Sequence, residues 1–229
     1  MYTIDFHSHI LPCADHGSDG IETSKKQLEY LKRVGIDTVI ATPHFYPNRH
    51  SVKDFISRRD RAYAELCDAN VSGVRVIAGA EVLVCPFLEK MDGLRELCIS
   101  GTDTLLLEMP MTDRWSENLV DTVEAIRDAG FTPVMAHIDR YTESQAVLLA
   151  GLGVTFQLNA ECLCKLLKKK RCISLAKDGF VSALGTDIHG ADVGAVQRYV
   201  KARKTLGEEL FEDIMKKSER LAGIYEKVD

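Results

Sequence analysis

The sequence has no apolar run long enough to cross a bilayer and no excess of positive charge. A transmembrane helix needs roughly 18 to 20 consecutive apolar residues, and no segment of the 229-residue chain approaches that length. Lys and Arg number 29 against 34 Asp and Glu, a formal net charge of −5, which gives no overall basic footprint for nucleic acid. The start, MYTIDFHSH, lacks a signal-peptide pattern. We therefore expect a cytoplasmic protein with no membrane insertion and no nucleic-acid partner.

The chain also lacks the cysteine framework of a secreted disulfide protein. Its seven cysteines are odd in number and scattered, which is typical of a reducing compartment. Cys162 and Cys164 form one C-x-C with no second pair, a weak zinc signal. Cysteine-dependent tyrosine phosphatases need an arginine six residues after the cysteine. None of the seven meets that spacing, since Asp19 follows Cys13 and Lys168 follows Cys162, so this mechanistic class is excluded.

Short apolar segments alternate with helical ones along most of the chain. Seven predicted strands are TIDFHSH, IDTVIATPH, VRVIAGAE, TLLLEMP, FTPVMAH, VTFQLNA and FVSALGTD. Helical periodicity follows most of them, with Ser51 as a candidate N-cap, Gly130 as a helix end, and two amphipathic helices from about Asp192. This order predicts an α/β protein with a parallel sheet buried on both faces, in one domain over residues 1–229. A doubly wound open sheet and a barrel both satisfy the pattern.

Histidines and carboxylates occur at the ends of these predicted strands. In order they are His7, His9, His44, Glu81, Glu108, His137, Asp187 and His189, with Asp15 and His16 shortly after the first strand. In a barrel of parallel strands, all the carboxyl ends open on one face. Six of the seven histidines fall in or just beyond strand ends, and only His50 does not. We therefore expect these side chains to converge.

A metal centre explains this set better than isolated structural roles do. Any one of these residues, taken alone, is more often a hydrogen-bonded core histidine or a capping carboxylate. A buried glutamate at the end of an apolar strand, such as Glu81 or Glu108, is costly unless it is paired or metal-bound. Mixed imidazole and carboxylate donors suit Mn, Fe or Zn rather than Ca or Cu(I). There are too many donors for one tetrahedral ion, so we expect two or three divalent ions, with manganese first and Fe or Zn as alternatives.

Six segments together resemble one known family nearly end to end. HSHILP, IATPHFYP, GAE, LLLEMP, PVMAHIDRY and GTDIHG are similar to the PHP superfamily, and within it to the bacterial PHP-type protein-tyrosine phosphatases of capsule and exopolysaccharide operons. The H-x-H alone is shared with amidohydrolases, but the complete ordered set is specific. The resemblance implies the PHP fold, a TIM-barrel-like distorted (β/α)7 barrel, with a trinuclear site. It also implies a phosphotyrosine protein substrate, namely an autophosphorylating bacterial tyrosine kinase.

The resemblance further implies how the ligands divide among three ions. The first ion would take His7, His9, Glu81 and Asp187; the second Glu81, Glu108 and His137; the third His44, His189 and one residue of the pair Asp15 and His16. The family usually has Asp-Asp-Gly where this chain has Asp15-His16-Gly17. His16 stands at the second aspartate, and either residue of the pair could be the ligand.

Arg140, in HIDRY, matches the arginine with which the family holds phosphate. A guanidinium suits that role because it grips phosphoryl oxygens with two parallel hydrogen bonds. The position of the family's second arginine is Gly194 here, so Arg198, or Arg49 and Arg58, could take its place. We predict that Arg140, Glu81 and Asp187 act in catalysis and that Arg140, His44 and Arg198 contact the substrate.

The predicted reaction is hydrolysis of a phosphate monoester by metal-activated water. A histidinol-phosphate phosphatase or another small-molecule phosphatase would share the metals, and a non-catalytic metal-binding regulatory domain is a third alternative. Asp139 or a metal-bound water could protonate the leaving group, and Phe45 and Tyr46 could flank an aromatic one or pack a lid. The basic run KLLKKKRC is interpreted as a solvated helix face rather than a nucleic-acid surface.

Overall fold

The computed structural model describes residues 2–70 and 72–224. Within them the strands are β1 (Ile4–Ser8), β2 (Thr38–Ala41), β3 (His44–Phe45), β4 (Arg75–Ala78), β5 (Glu81–Leu83), β6 (Thr104–Glu108), β7 (Thr132–Met135), β8 (Thr155–Asn159) and β9 (Val181–Gly185). The helices are α1 (Ile21–Arg33), α2 (Val52–Ala69), α3 (Glu117–Asp128), α4 (Glu143–Gly151), α5 (Leu166–Lys177), α6 (Val193–Leu206) and α7 (Glu208–Leu221). Short 3-10 turns follow β5, β7 and β8, at Leu88–Lys90, Leu94–Leu97, Ile138–Arg140 and Ala160–Cys164.

Two of the seven predicted strands are broken in the middle. The second becomes β2 and β3, and the third becomes β4 and β5, so the strands form a sheet ordered β1-β2-β4 and a sheet ordered β3-β5-β6-β7-β8-β9. Pro43 lies at the first break and has no N–H to donate to a strand ladder. The broken strands still run together, since Gly79 N donates to Ala41 O at 2.8 Å and Glu81 N donates to Pro43 O at 3.1 Å. As a result His44 and Glu81 begin short strands, where we had expected them to end long ones.

The last strand returns to the first. Beyond β9, Asp187 N donates to His7 O at 2.8 Å, and His9 N donates to Ile188 O at 3.2 Å. The Asp5 carboxylate on β1 accepts from Thr186 twice, from the backbone N at 2.7 Å and from Oγ1 at 2.6 Å. All strand pairs are parallel and neighbours follow chain order. The predicted α/β class is confirmed, and the order is that of the distorted barrel rather than the doubly wound sheet.

The helix signals in the sequence mark real helix boundaries. Ser51 Oγ accepts from Asp54 N at 3.1 Å and caps α2. Gly130 follows the end of α3 with a φ of 86°, the left-handed conformation that glycine adopts without strain. Leu28 and Leu31 lie buried on the inner face of α1, so the helices surround the strands with their apolar faces inward.

The core extends from the strands to the C-terminal helices. Phe6 of β1, Phe156 of β8 and Phe211 of α7 have no exposed surface. Tyr199 of α6 is also buried and satisfies its hydroxyl by donating to Ile4 O at 2.7 Å. The two predicted C-terminal helices therefore cover the place where the first and last strands meet.

None of the helices within the described residues is both long and apolar enough to span a bilayer. The organisation as one domain over residues 1–229 stays a prediction, and residues 1, 71 and 225–229 of that range lie outside the described residues.

Replacing Thr186 by valine should destabilise the closure between β1 and β9. The change keeps the shape but removes the hydroxyl that donates to Asp5 and accepts from Ile188 N at 3.2 Å. The loss of this buried hydrogen bond to a carboxylate should lower the free energy of unfolding by about 1–3 kcal/mol. Urea denaturation in the presence of a chelator measures it, so that metal binding does not contribute. Thr155→Val, at a half-exposed hydroxyl of β8, is the control and should cost less; equal costs would contradict this account.

Candidate metal centre

The predicted ligands meet at the carboxyl ends of the strands. Their donor atoms form three groups, each with all atoms within 4.8 Å of one another. The groups are His9 with His44 and His189, His7 with His9 and Asp187, and His44 with Glu81 and Glu108. His137 joins them through Nε2, which lies 2.8 Å from Glu81 Oε1 and 3.3 Å from Glu108 Oε1. Residues from six of the seven predicted strands, with His189 just after the last of them, therefore cluster at one place.

The geometry around Glu81 fits a cation. Its Oε2 is buried and has no hydrogen-bond partner, although His44 Nδ1 lies 2.9 Å away, His7 Nε2 3.2 Å and His9 Nε2 3.3 Å. His44 Nδ1 is likewise buried without a hydrogen-bond partner. The ring nitrogens of His7 and His9 face each other at 3.1 Å. Buried acceptors that converge without donors are costly, and a divalent ion among them satisfies all of them.

The protonation states of Glu81, Asp187 and His189 also suit metal binding. Burial alone would lower the pKa of His9 and of His137, but the carboxylates around them raise both. Burial alone raises the pKa of Glu81 and Asp187, but the facing imidazoles, His7 foremost, hold both pKa values below the ordinary range. Burial, together with the nearby His9, lowers the pKa of His189 to about 4. At neutral pH the site therefore offers ionised carboxylates and a neutral His189, which are the forms that bind metal ions.

Two of these residues are held in a strained backbone conformation. His137 has a φ of 34° and Asp187 a φ of 52°, in the left-handed region that side chains other than glycine rarely adopt. Each lies two residues after the end of a strand, β7 and β9 respectively. Such strain costs about 1–3 kcal/mol per residue and gathers at functional sites. Here it turns the two side chains back over the strand ends toward Glu81.

The strand β8 carries none of the predicted ligands, yet it holds three of them in place. Gln157 Oε1 accepts from His137 N at 2.7 Å and faces His7 Nδ1 at 3.1 Å. With Nδ1 protonated toward Gln157, His7 presents Nε2 to the site. Asn159 Nδ2 donates to Asp187 Oδ2 at 2.9 Å, and Gln157 Nε2 donates to Asn159 Oδ1 at 3.0 Å.

Sequence reasoning missed Gln157 and Asn159, although a signal was present. In TFQLN the two amides are separated by one residue in an otherwise apolar buried strand. Side chains two apart lie on one face of a strand, and a buried polar pair on one face needs partners. The partners are the metal-site residues, which the sequence alone does not connect to this strand.

Asp15 and His16 take different positions. Both oxygens of Asp15 are engaged: Oδ2 with His9 Nδ1 at 2.7 Å and His44 N at 2.9 Å, and Oδ1 with Gly17 N at 2.8 Å. Burial alone raises the pKa of Asp15, but these hydrogen bonds and the His9 charge lower it below the ordinary range. His16 is exposed and stacks on His44 and His189, with ring centroids 4.9 and 4.7 Å apart. Asp15 therefore orients its neighbours, while His16 faces the open side.

A cavity of about 480 Å³ opens over the cluster. It is lined by His16, His44, Arg140, Asn159, Glu161, Thr186, Asp187, His189 and Arg198. The guanidinium of Arg140 donates to Asp187 Oδ2, and that of Arg198 donates to Asp192 Oδ2 at 2.7 Å. Two guanidiniums thus flank a pocket floored by candidate ligands, an arrangement suited to an anion.

Gly194 leaves room for Arg198. A Cβ at Gly194 would lie only 3.0 Å from Arg198 Nη1, so the side chain of Arg198, one helical turn later, passes over Gly194. The other two candidates, Arg49 and Arg58, do not line the cavity. Arg58 Nε donates to Ala14 O at 2.8 Å, and Arg49 lies over the Tyr46 ring at 5.1 Å.

Burial and position distinguish the three residues that the sequence suggested near the leaving group. Phe45 has no exposed surface and packs on Phe55, which is incompatible with contact to a leaving group. Tyr46 is half-buried and stacks on His44 with ring centroids 5.2 Å apart. Asp139 lies outside the cavity lining, where Oδ1 accepts from Asn159 N at 3.3 Å and Oδ2 lies 3.5 Å from Lys168 Nζ. Asp139 therefore supports the loop that carries Arg140 and does not face the pocket.

Comparison with known proteins relates the chain to one protein family. The family model "Capsular polysaccharide synthesis, CpsB/CapC" matches residues 3–220. The tyrosine-protein phosphatase CpsB of Streptococcus pneumoniae is 27% identical over 210 residues, covering 82% of this chain and 84% of that protein. CpsB of Streptococcus agalactiae is 23% identical over 205 residues, covering 83% and 84%.

The fold is shared with a solved structure. The matching structure is one of the crystal structures of YwqE from Bacillus subtilis and CpsB from S. pneumoniae, which are described as unique metal-dependent tyrosine phosphatases. The TM-score is 0.81 at 23% identity, over 97% of this chain and 95% of the other.

Replacing Gln157 by leucine should weaken metal binding by about ten- to a hundredfold, because His7 and the backbone of His137 lose their shared acceptor. Competition with a chromophoric chelator measures the affinity without any assay of activity. Gln157→Glu, which keeps an accepting oxygen, should retain more of it, and Gln197→Leu at an exposed site on α6 is the matched control. An unchanged affinity in a folded Gln157→Leu protein would remove β8 from the metal centre.

Proposed function

The chain belongs to the CpsB/CapC family of capsular polysaccharide synthesis, and we propose that it is a metal-dependent protein-tyrosine phosphatase. The observation that carries this proposal is the buried Glu81 Oε2, which has no hydrogen-bond partner among three imidazoles, one of which, His44, lines a cavity with two guanidiniums. Metal-ligand donors and phosphate-binding cations in one pocket suit hydrolysis of a phosphate monoester. The names of the relatives add the phosphotyrosine substrate.

The proposed ligands are His7, His9, Glu81 and Asp187 for one ion, Glu81, Glu108 and His137 for a second, and His44, His189 and His16 for a third. His16 is chosen over Asp15 because both Asp15 oxygens are already engaged by donors. The donors suit manganese, with iron and zinc as alternatives. Bound ions of this kind supply an ionised water at neutral pH and neutralise phosphoryl oxygens.

The protein's own side chains bind and orient the phosphoryl group. Arg140 and Arg198 both line the cavity, and a guanidinium pairs two donors with two phosphoryl oxygens. The carboxylate of Asp187 holds Arg140 in place through a direct ion pair. Both charges are fixed before the substrate arrives, so they stabilise charge that gathers on the phosphoryl oxygens during the reaction.

An aromatic leaving group matches the remaining features. A phenol has a pKa of about 10, so phenolate leaves with little help from an acid, and Asp139 faces away from the cavity. The half-buried Tyr46 ring, stacked on His44, offers a flat surface for the substrate ring. The proposed protein substrate is an autophosphorylating tyrosine kinase of polysaccharide export. The proposed place of action is the cytoplasm, which fits the free thiols of the seven scattered cysteines.

Activity should disappear with a chelator and return with manganese, and phosphotyrosine peptides should be hydrolysed faster than histidinol phosphate. A panel of these substrates and sugar phosphates, with metal analysis of the same samples, measures this. Glu81→Ala should remove nearly all activity because Glu81 lies against four imidazoles of the cluster, whereas Glu65→Ala, at an exposed position of α2, should not change it. Activity that resists chelation would contradict the metal mechanism. A preference for histidinol phosphate would assign the chain to the small-molecule phosphatases instead.

Removal of Arg198 should mainly weaken substrate binding. Arg198→Ala loses a charge-assisted contact to phosphate, which predicts an increase in KM of about tenfold, with unchanged metal content. Gly194→Ala should act in the same direction but less, because the new Cβ crowds the Arg198 guanidinium. Arg203→Ala, whose guanidinium pairs with Glu208 at 3.0 Å, is the control. A normal KM in Arg198→Ala would mean that Arg140 alone holds the phosphate.

A further inference from the structure

The start of α5 carries an unusual combination of exposed side chains. The segment Lys165–Arg171 has five cations and no carboxylate in seven residues, in a chain with a net charge of −5. Leu166 and Leu167 lie within it and are 88% and 97% exposed. We call this segment the basic-apolar edge. Two adjacent leucines in water, ringed by positive charge, form a small patch of the kind that contacts another molecule.

Helix stability does not explain this composition. The amino end of a helix carries partial positive charge, and cations there are unfavourable. α5 has no acidic residue in its first turn, and Lys165 before it makes no side-chain cap. Cys172 and Ala176 alone are buried on α5, so the two leucines contribute nothing to the core. A segment that departs from the charge and capping preferences of a helix start, without stabilising the fold, is expected at a functional site.

The basic-apolar edge is joined to the wall of the cavity that Arg140 and Arg198 line, which we call the phosphate cavity. Glu161 lines that cavity, and its Oε1 pairs with Lys165 Nζ at 2.8 Å. On the other side, Arg171 Nη1 donates to Tyr141 O at 2.7 Å, one residue after Arg140. Within the described residues, Lys169 and Lys170 have no carboxylate oxygen within 4.0 Å. Two cations without an acidic partner among the described residues therefore stand on a segment that is joined to the cavity wall through Lys165.

A groove continues from the basic-apolar edge along the surface. It has a volume of about 570 Å³ and lies between α4 and α5. Lys170 and Arg171 border it, and Val147 and Phe180, which are 68% and 37% exposed, supply apolar surface. The basic-apolar edge therefore adjoins the cavity through Lys165 and the groove through Lys170 and Arg171.

We propose that the basic-apolar edge and the α4–α5 groove dock the polypeptide that carries the phosphotyrosine. The docked segment has acidic residues close to the tyrosine, which face Lys169 and Lys170, and an apolar side chain that covers Leu166 and Leu167. This inference rests on the proposed phosphatase function and specifies its substrate. Exposed charges of this kind mainly speed association and are screened by salt, whereas the leucines contribute by removing apolar surface from water.

A peptide fits these observations better than a lipid surface does. A helix that lies on a membrane presents an apolar stripe along its length. In α5 the exposed leucines are confined to the first turn, and the next positions, Lys168–Arg171, are charged. The patch is also continuous with the phosphate cavity, as a docked substrate requires.

Steady-state kinetics with matched phosphotyrosine peptides tests the proposal. The double variants Lys169→Ala/Lys170→Ala and Leu166→Ser/Leu167→Ser should each raise KM for an acidic peptide with an apolar residue by about five- to tenfold, with kcat unchanged. A neutral glycine- and serine-rich peptide and p-nitrophenyl phosphate should show less than a twofold change. Added salt should raise KM for the acidic peptide in the parent protein and have little effect in the lysine variant. The control is Lys201→Ala/Lys204→Ala, at exposed positions of α6.

The alternatives give different results. An unchanged KM for the acidic peptide, or an equal loss with p-nitrophenyl phosphate, overturns the docking role. The docking role is also overturned if the parent protein binds phosphatidylglycerol vesicles or shows a change in sedimentation coefficient, and the variants abolish this behaviour without any effect on the peptide. Fluorescence anisotropy of the labelled acidic peptide, with tyrosine in place of phosphotyrosine, measures docking without turnover. If no aryl phosphate is hydrolysed, the phosphatase function fails, and the anisotropy result still decides whether the edge binds acidic peptides.

Discussion

A carboxylate with almost no access to water lies at the meeting point of the strands, and most of the site is arranged around it. Glu81 is 1% exposed, and its two oxygens face His7, His9, His44 and His137. Burying an ionised carboxylate is costly unless opposite charge or hydrogen bonds compensate. The surrounding imidazoles bring too few donors, since Oε2 has no hydrogen-bond partner. The need for positive charge at this point is the constraint from which the metal centre follows.

The fold meets this constraint with parts that are not ligands. The breaks at Pro43 and Gly79 turn two strands so that His44 and Glu81 start new segments facing the centre. Left-handed backbone at His137 and Asp187 returns their side chains over the strand ends. Asp15 and Gln157 fix the ring orientation of His9 and His7 through Nδ1. Positions of this kind trade local stability for a preorganised site.

Two arginines, Arg140 and Arg198, line the open side of the pocket. Gly194 leaves space that the Arg198 guanidinium fills from one turn further along α6. The same cavity wall carries Glu161 and, through Lys165, the exposed start of α5. The proposed phosphate site and the proposed docking surface are therefore neighbours, next to the candidate metal ligands.

The sequence by itself predicted the α/β class and most of the histidines and carboxylates that cluster in the structure, because these residues follow buried apolar runs and parallel strands end on one face. Local signals such as Ser51 and Gly130 also mark helix boundaries that the structure confirms. Only the tertiary structure decided that Asp15 is engaged by three donors while His16 faces the cavity, that Phe45 is buried, and that Arg198 rather than Arg49 or Arg58 reaches the cavity. It alone connected Gln157 and Asn159 to ligands on other strands. These contacts join residues far apart in the chain, and their distances depend on how the strands close around Glu81, which no local pattern encodes.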